Sequence, residues 1–368
     1  MKVLVAGDFC DNGRISEKIS KGEYNSLFDE VIPITEQMDF SIVNFEFPVV
    51  LSKGKPIIKC GPHLRGQKLA VEAIKYAGFN ICTLANNHIL DQGEQCCLDT
   101  KRLLEETGIH TVGVGQNLTE SSTILYLEKN DEKLAIINCC EHEYSIATET
   151  KAGANPLNPI KQFYKIQEAK RNADYVLVIV HGGNEYYRLP SPRMQETYRF
   201  FIDAGADAVV NHHQHCYSGY EIYNRCPIFY GLGNFCFDRL DCNDSSWHEG
   251  YMVCLTLGKD VEFGIFPYKQ CDVFPKVSML GNSAYKDKID KLNDIIKERD
   301  QLEKKYDEYI DKSSNLHSVF GPYTSRILKV LCHRHILPSF MNKNKRNLIL
   351  AYIQCESHYP KVINYLKK

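Results

Sequence analysis

No stretch of this sequence approaches the roughly 18 consecutive apolar residues that a membrane-spanning helix needs. The opening residues, Met1-Lys2-Val3-Leu4-Val5-Ala6-Gly7-Asp8, are too short an apolar run for a secretory leader. They read as a first strand entering a polar loop. No Cys-x-x-Cys spacing occurs among the 15 cysteines, which argues against a zinc ribbon. Scattered cysteines fit a reducing compartment better than a disulfide framework. A charge surplus is also missing: 44 Lys and Arg face 46 Asp and Glu, for a net charge of −2. Nothing global therefore favours nucleic acid. These absences together predict a soluble cytoplasmic protein.

What is present is a chain of 368 residues, 43% hydrophobic and 24% charged, enough for one large domain or two ordinary ones with a sizeable core. Its strongest chemical signal is Asn211-His212-His213-Gln214-His215, three histidines within four positions after the β-branched run Ala208-Val209-Val210. A His-x-His pair on a turn aims two imidazoles at one point, as a metal site requires.

Short apolar strands at Val3–Ala6, Phe40–Asn44, Ile81–Ala85, Tyr175–Val180 and Ala208–Val210 alternate with helical stretches. Helices are expected at Gln67–Ala77, Glu94–Thr107, Pro159–Asn172 and from Pro192 to Ala204. Gly78, Gly108 and Gly205 stand where helices stop. Glu23–Gln37 contains Pro33 and reads as a kinked helix or two short pieces. Asn130-Asp131 sits between two alternating runs and marks a hairpin. To about residue 275 the pattern is that of an α/β domain with mixed sheets.

From 276 the composition shifts to Lys, Glu and Asp. Residues 285–312 read as one long amphipathic helix, with short helices after it. That helix packs on its own domain or pairs with a second copy to form a homodimer. The basic stretch Arg326–Arg346 is a solvated face or a docking surface for an anionic membrane.

Asp8, Glu46, Asn87-His88, His181 and the His213/His215 pair all fall just past strand carboxyl ends, where ligand sites form in open α/β sheets. Glu185 and Asp91 are placed to orient ligand histidines. His63, Arg188 and Arg193 are candidates for gripping an anionic substrate. The loops Lys53–Gly66, Glu141–Asn155 and Asp238–Gly250 would line its pocket. The single tryptophan, Trp247, is there a stacking platform or a packed anchor.

Several motifs together carry a family resemblance. They are Gly7-Asp8, Asn44-Phe45-Glu46, Leu84-Ala85-Asn86-Asn87-His88 with Asp91 and Gly93, His181-Gly182-Gly183-Asn184-Glu185-Tyr186, Gly205 to His215, and Leu232-Gly233-Asn234-Phe235 with Asp238. In this order, over about residues 1–240, the chain resembles the CapA family of capsule and poly-γ-glutamate biosynthesis proteins, within the calcineurin-like metallophosphoesterase superfamily. The resemblance implies a sandwich of two mixed sheets flanked by helices. It also implies two divalent transition-metal ions, Mn, Fe or Zn.

By the same resemblance, Asn87 would be its motif's asparagine ligand, Asp8 and His215 would bind the first metal, and His181 and His213 the second. Glu46 would bridge them in place of an aspartate. His88, with Asp91, would act at the leaving group, and His212 would be a bystander. Cys10 stands where the superfamily has the histidine of Asp-x-His, so it is a soft ligand or that corner lacks one. Asn234 is a further candidate, as ligand or as ligand support.

Three functions follow as alternatives: a metal-dependent hydrolase or transferase in capsule or exopolymer synthesis, a non-catalytic accessory protein that binds polymer or a synthase partner, and a stand-alone cytosolic phosphoesterase.

Overall fold

A computed structural model describes residues 1–59, 61–239, 244–313 and 325–337. Residues Met1–Lys304 form one compact unit and Lys305–Lys368 a second. In the first unit, an eight-stranded sheet runs Val277–Met279, Glu262–Gln270, Glu249–Thr256, Lys2–Cys10, Phe40–Phe45, Ile81–Thr83, His110–Val112. Its eighth strand, Asn234–Phe237, also pairs with Lys2–Cys10. A six-stranded sheet runs Tyr220–Tyr223, Cys226–Phe229, Ala208–His212, Tyr175–His181, Glu132–Cys140, Leu125–Lys129. Both sheets mix parallel and antiparallel pairs. This is the expected sandwich of two mixed sheets with helices outside.

Alternation along the strands builds the layers. Val3, Val5 and Ile42 of the first sheet meet Ile136, Leu177, Ile179 and Val210 of the second. The intervening Leu4, Ala6 and Val43 face the helices Gly13–Ser20, Leu69–Tyr76 and Glu94–Glu106. Val176, Val178 and Val209 face Pro159–Asn172 and Pro192–Asp203 in the same way. Turn chemistry fits where the sequence signalled it. Asn130 and Asp131 hold φ of 53° and 65°, the left-handed pair that a two-residue hairpin demands. Glu23–Gln37 resolves into two short helices, Asn25–Phe28 and Ile32–Thr35.

The long helix expected over 285–312 is instead two helices, Lys286–Lys297 and Arg299–Ser313, separated by an extended Glu298. The break has a packing cause. Ile296 and Leu302 are both buried in the core under the second sheet, yet six residues apart they would lie about 120° from each other on one continuous helix. Gln195 Nε2 donates to the Ile296 carbonyl at 2.8 Å and holds the end of the first helix. That helix lies against the edge strand, where Asn293 Oδ1 accepts from the Tyr220 amide at 2.7 Å. The first compact unit thus continues through Lys304, past the compositional change at 275. In the second unit, Arg326–His333 is a helix capped by Ser325. Residues 338–346 of the basic stretch lie outside the described residues.

Among the described residues, no helix is long and apolar enough to cross a membrane.

Candidate metal centre

Parallel pairing puts the chemistry-bearing strand ends at one level. Asp8 registers with Asn44 on one side and Asn234 on the other, and Asn44 registers with Thr83. In the second sheet His212 registers with His181. Beyond this level the chain turns into the same space at three places: Glu46 follows Phe45, Asn87-His88 come after Ile81–Thr83, and His213 to His215 follow His212. His213 and His215 adopt φ of 92° and 55°. Positive φ in two non-glycine residues two apart is costly, and such strain collects at functional sites.

Six expected ligands converge, and all are buried. His181 Nε2 lies 3.1 Å from Asn87 Oδ1, 3.1 Å from His213 Nδ1 and 3.7 Å from Glu46 Oε1. Asp8, Glu46 and His215 form a second group: His215 Nδ1 is 3.7 Å from Asp8 Oδ2, and His215 Nε2 is 3.8 Å from Glu46 Oε1. Glu46 belongs to both groups, and its Oε1 is buried without a hydrogen-bond partner. Donor atoms each about 2.0–2.2 Å from a shared ion are themselves about 3–3.5 Å apart, so these spacings suit metal ligation. Nitrogen and oxygen donors in this mix suit divalent transition ions.

The electrostatics fit a cluster that wants a cation. Burial, and then the Asp8 charge, push the Glu46 carboxyl well above its ordinary range. Burial also raises Asp8, but the close contact with His212, 3.4 Å away, and the charges of His212, His181 and His215 outweigh it, and the net shift is downward. Burial first, and His215 next, bring His213 down to about 4. His181 is depressed by burial and by His213. Neutral imidazoles are the form that binds metal.

Supporting contacts fix several of these groups. His215 Nδ1 donates to Asn234 Oδ1 at 2.9 Å, which directs its Nε2 lone pair toward Glu46. Asn234 thus serves the centre through His215. His88 Nδ1 donates to Asp91 Oδ2 at 2.6 Å, so Asp91 orients His88 and not a ligand histidine. Asp91 also accepts from the Leu64 amide at 2.7 Å and pairs with Lys59.

Cys10 is not in the donor set. The pairing of Lys2–Cys10 with Asn234–Phe237 shifts register between Asp8 and Phe9. Phe9 and Cys10 both lie in the apolar cluster with Phe45 and Phe47. Burial, then Glu46, push the thiol well above its usual value, which disfavours the ligating thiolate.

A cavity of about 570 Å³ opens on Asn87, His88 and His215. The three expected loops do line it, through Lys59 and Leu64, Glu143 and Tyr144, and Arg239 and Trp247. The three expected substrate grips are elsewhere. His63 is exposed and bonded to the Ile57 carbonyl at 2.6 Å. Arg188 pairs with Glu249 at 2.9 Å and stacks on Tyr217. Arg193 is exposed on its helix, outside the lining. Lys59 and Arg239 are the cavity's cations instead. Glu185 is exposed at the rim. Trp247 is an anchor: it is buried, and its Nε1 donates to the Phe237 carbonyl at 2.9 Å.

His212 is no bystander, since its Nδ1 lies 3.4 Å from Asp8 Oδ1. Glu143 also went unforeseen. Its Oε2 accepts from Asn87 Nδ2 at 3.0 Å, and its Oε1 lies 3.7 Å from His213 Nε2.

Fold and site together define an α/β sandwich with a buried two-group donor cluster at its strand ends. The family model described as "Bacterial capsule synthesis protein PGA_cap" matches residues 2–239, and the chain belongs to that family. It is 34% identical over 247 residues to the capsule biosynthesis protein CapA of Bacillus anthracis, covering 65% of this chain and 60% of that one. It is 34% identical over 231 residues to the PGA biosynthesis protein CapA of Bacillus subtilis, covering 62% and 61%. A Mycobacterium tuberculosis protein named "Probable polyglutamine synthesis accessory protein" is 30% identical over 168 residues, covering 42% and 44%. The chain thus spans about three-fifths of the length of the two Bacillus relatives.

Proposed function

We propose that this protein is a metal-dependent hydrolase or transferase that acts on an anionic intermediate or polymer in capsule or exopolymer synthesis. Its donor set would hold two divalent transition-metal ions: Asp8, Glu46 and His215 for one, Asn87, Glu46, His181 and His213 for the other. The observation that carries this reading is Glu46 Oε1, buried without a partner between the two groups. A buried carboxylate oxygen without a partner is costly, and cations held by the two groups would remove that cost. When bound, such ions supply Lewis-acid polarisation of a phosphoryl or carbonyl oxygen. The chain itself supplies the rest. Asp91 holds His88 with its Nδ1 proton engaged, so the other ring nitrogen is the one left for the leaving group. Lys59 adds positive charge to the cavity wall.

Metal analysis of the purified protein tests the proposal. About two ions per chain are expected, with loss of ions and of any hydrolysis in His181→Ala and His213→Ala. A wild-type protein that takes up no transition metal at millimolar supply overturns it.

A second reading, an accessory protein that binds polymer or a synthase without turnover, is favoured by one observation. Cys10 lies in the apolar core, so among the described residues the Asp8 donor group counts only Glu46 and His215 as further ligands, with His212 beside Asp8 but outside that group. Metal uptake without hydrolysis of any ester or amide polymer would select that reading.

A further inference from the structure

We infer that Glu143 is a positioning residue for the second metal group, setting which atoms of Asn87 and His213 point at the ion. The inference rests on the two-metal reading above. An asparagine ligates through its carbonyl oxygen, and nothing in its own shape prevents the amide from turning the NH2 inward. Here Asn87 Nδ2 donates to Glu143 Oε2 at 3.0 Å, so Oδ1 is the atom left facing His181 Nε2, at 3.1 Å. A histidine ligates through one nitrogen and needs its proton on the other. His213 turns Nδ1 toward His181 at 3.1 Å and Nε2 toward Glu143 Oε1 at 3.7 Å. A carboxylate on the Nε2 side favours the proton there and leaves the Nδ1 lone pair for the ion. One side chain thus sets the orientation of two ligands.

The loop that carries Glu143 is itself fastened to the ligand segment. Ser145 Oγ donates to the Asn87 carbonyl at 2.7 Å and accepts from the Leu90 amide at 3.3 Å. Glu143 therefore approaches Asn87 from a segment held at two further points.

The test is metal binding to chelator-stripped full-length protein, titrated with Mn2+ and followed by calorimetry, metal analysis and Mn2+ electron paramagnetic resonance. Removing a carboxylate that orients metal ligands costs about 10- to 100-fold in affinity. Glu143→Ala should therefore weaken one Mn2+ site by that factor and leave the other at its wild-type affinity, turning a spin-coupled pair into an isolated-ion spectrum at limiting metal. Glu143→Gln, which can still accept from Asn87 but puts no negative charge beside His213, should fall between. Glu149→Ala, an exposed carboxylate farther along the same loop, should match wild type.

Two wild-type-like sites in Glu143→Ala overturn the inference and leave the two-metal reading intact. Equal weakening of both sites also overturns it. A wild-type protein without paired ions sinks the two-metal reading itself.

Discussion

His181 Nε2 and His213 Nδ1 face each other at 3.1 Å, both rings buried. Two imidazole nitrogens at that distance share one proton or one cation. Replacing either ring with alanine removes one of the four donors of the second group, so bound metal should drop from about two ions per chain toward one, with any hydrolysis reduced by at least about 100-fold. Metal analysis after dialysis against micromolar chelator reads the first outcome. Unchanged stoichiometry in both variants would contradict the assignment.

Asp91 is fully buried and holds three partners: His88, Lys59 and the Leu64 amide. The Lys59 side chain is itself only 2% exposed. Asp91→Ala strands that ammonium and should cost about 3–5 kcal/mol of unfolding free energy. Asp91→Ala with Lys59→Met should recover part of the loss. Denaturant unfolding of the two variants measures both values, and an additive double variant would refute the coupling.

The metal-free protein should lose stability on acidification below about pH 6.5. Burial, with His215 next, holds His213 at about 4, and His181 is also depressed. Unfolded histidine titrates near 6.5, so below that pH the unfolded chain binds protons the folded chain refuses, and stability falls as pH drops from about 6.5 to about 4. Glu46 works in the opposite direction. Its folded value is raised, so the folded chain keeps a proton the unfolded one has lost, and stability declines as pH rises. His88 and His142, also depressed chiefly by burial, act in the same direction as His213 and His181, so several histidines outweigh one glutamate on the acid side. Thermal melts of stripped protein from pH 5 to 8.5 check this, and His213→Gln should flatten the acid limb in part.

Gly7 has no room for a side chain: a Cβ there would lie 1.9 Å from the Gly233 carbonyl oxygen. The contact sits one residue before Asp8 and one before Asn234, so it spaces a ligand and the residue that orients His215. Gly7→Ala should cost about 3 kcal/mol of stability and weaken metal uptake together. Calorimetric melting and metal analysis read the two effects, and a stable variant with normal uptake would refute the link.

The sequence displays this centre well where a rule with a short period applies. Strand ends mark Asp8, Glu46, Asn87, His181 and the 213/215 pair, because an apolar run that stops on a polar residue is visible locally. Glu143, Lys59 and Arg239 sit in loops, where neither a 2-residue nor a 3.6-residue period applies, so their approach to the cavity depends on tertiary contacts alone. His212 was hidden by its neighbours: a His-x-His spacing singles out 213 and 215 and says nothing of the residue before them. For Cys10 the sequence leaves a soft ligand or an empty corner open, and only tertiary packing, past a register shift between Asp8 and Phe9, places it in the apolar cluster. The break at Glu298 likewise follows from what Ile296 and Leu302 pack against, not from their own spacing.

Asp8, Glu46 and Asn87 come from the first sheet or the turns that follow its strands, and His181, His213 and His215 from the second. The Asp8 carboxylate and the amide of His213, 3.3 Å apart, are separated by 205 positions along the chain. No short fragment carries both halves of the donor set, so the sandwich has to close before there is anything for an ion to bind. An ion seated there would then rivet sheet to sheet, adding to stability in proportion to the logarithm of its free concentration over its dissociation constant. For such a protein, metal scarcity would show first as a folded chain with a slackened seam between its layers, and only later as unfolding.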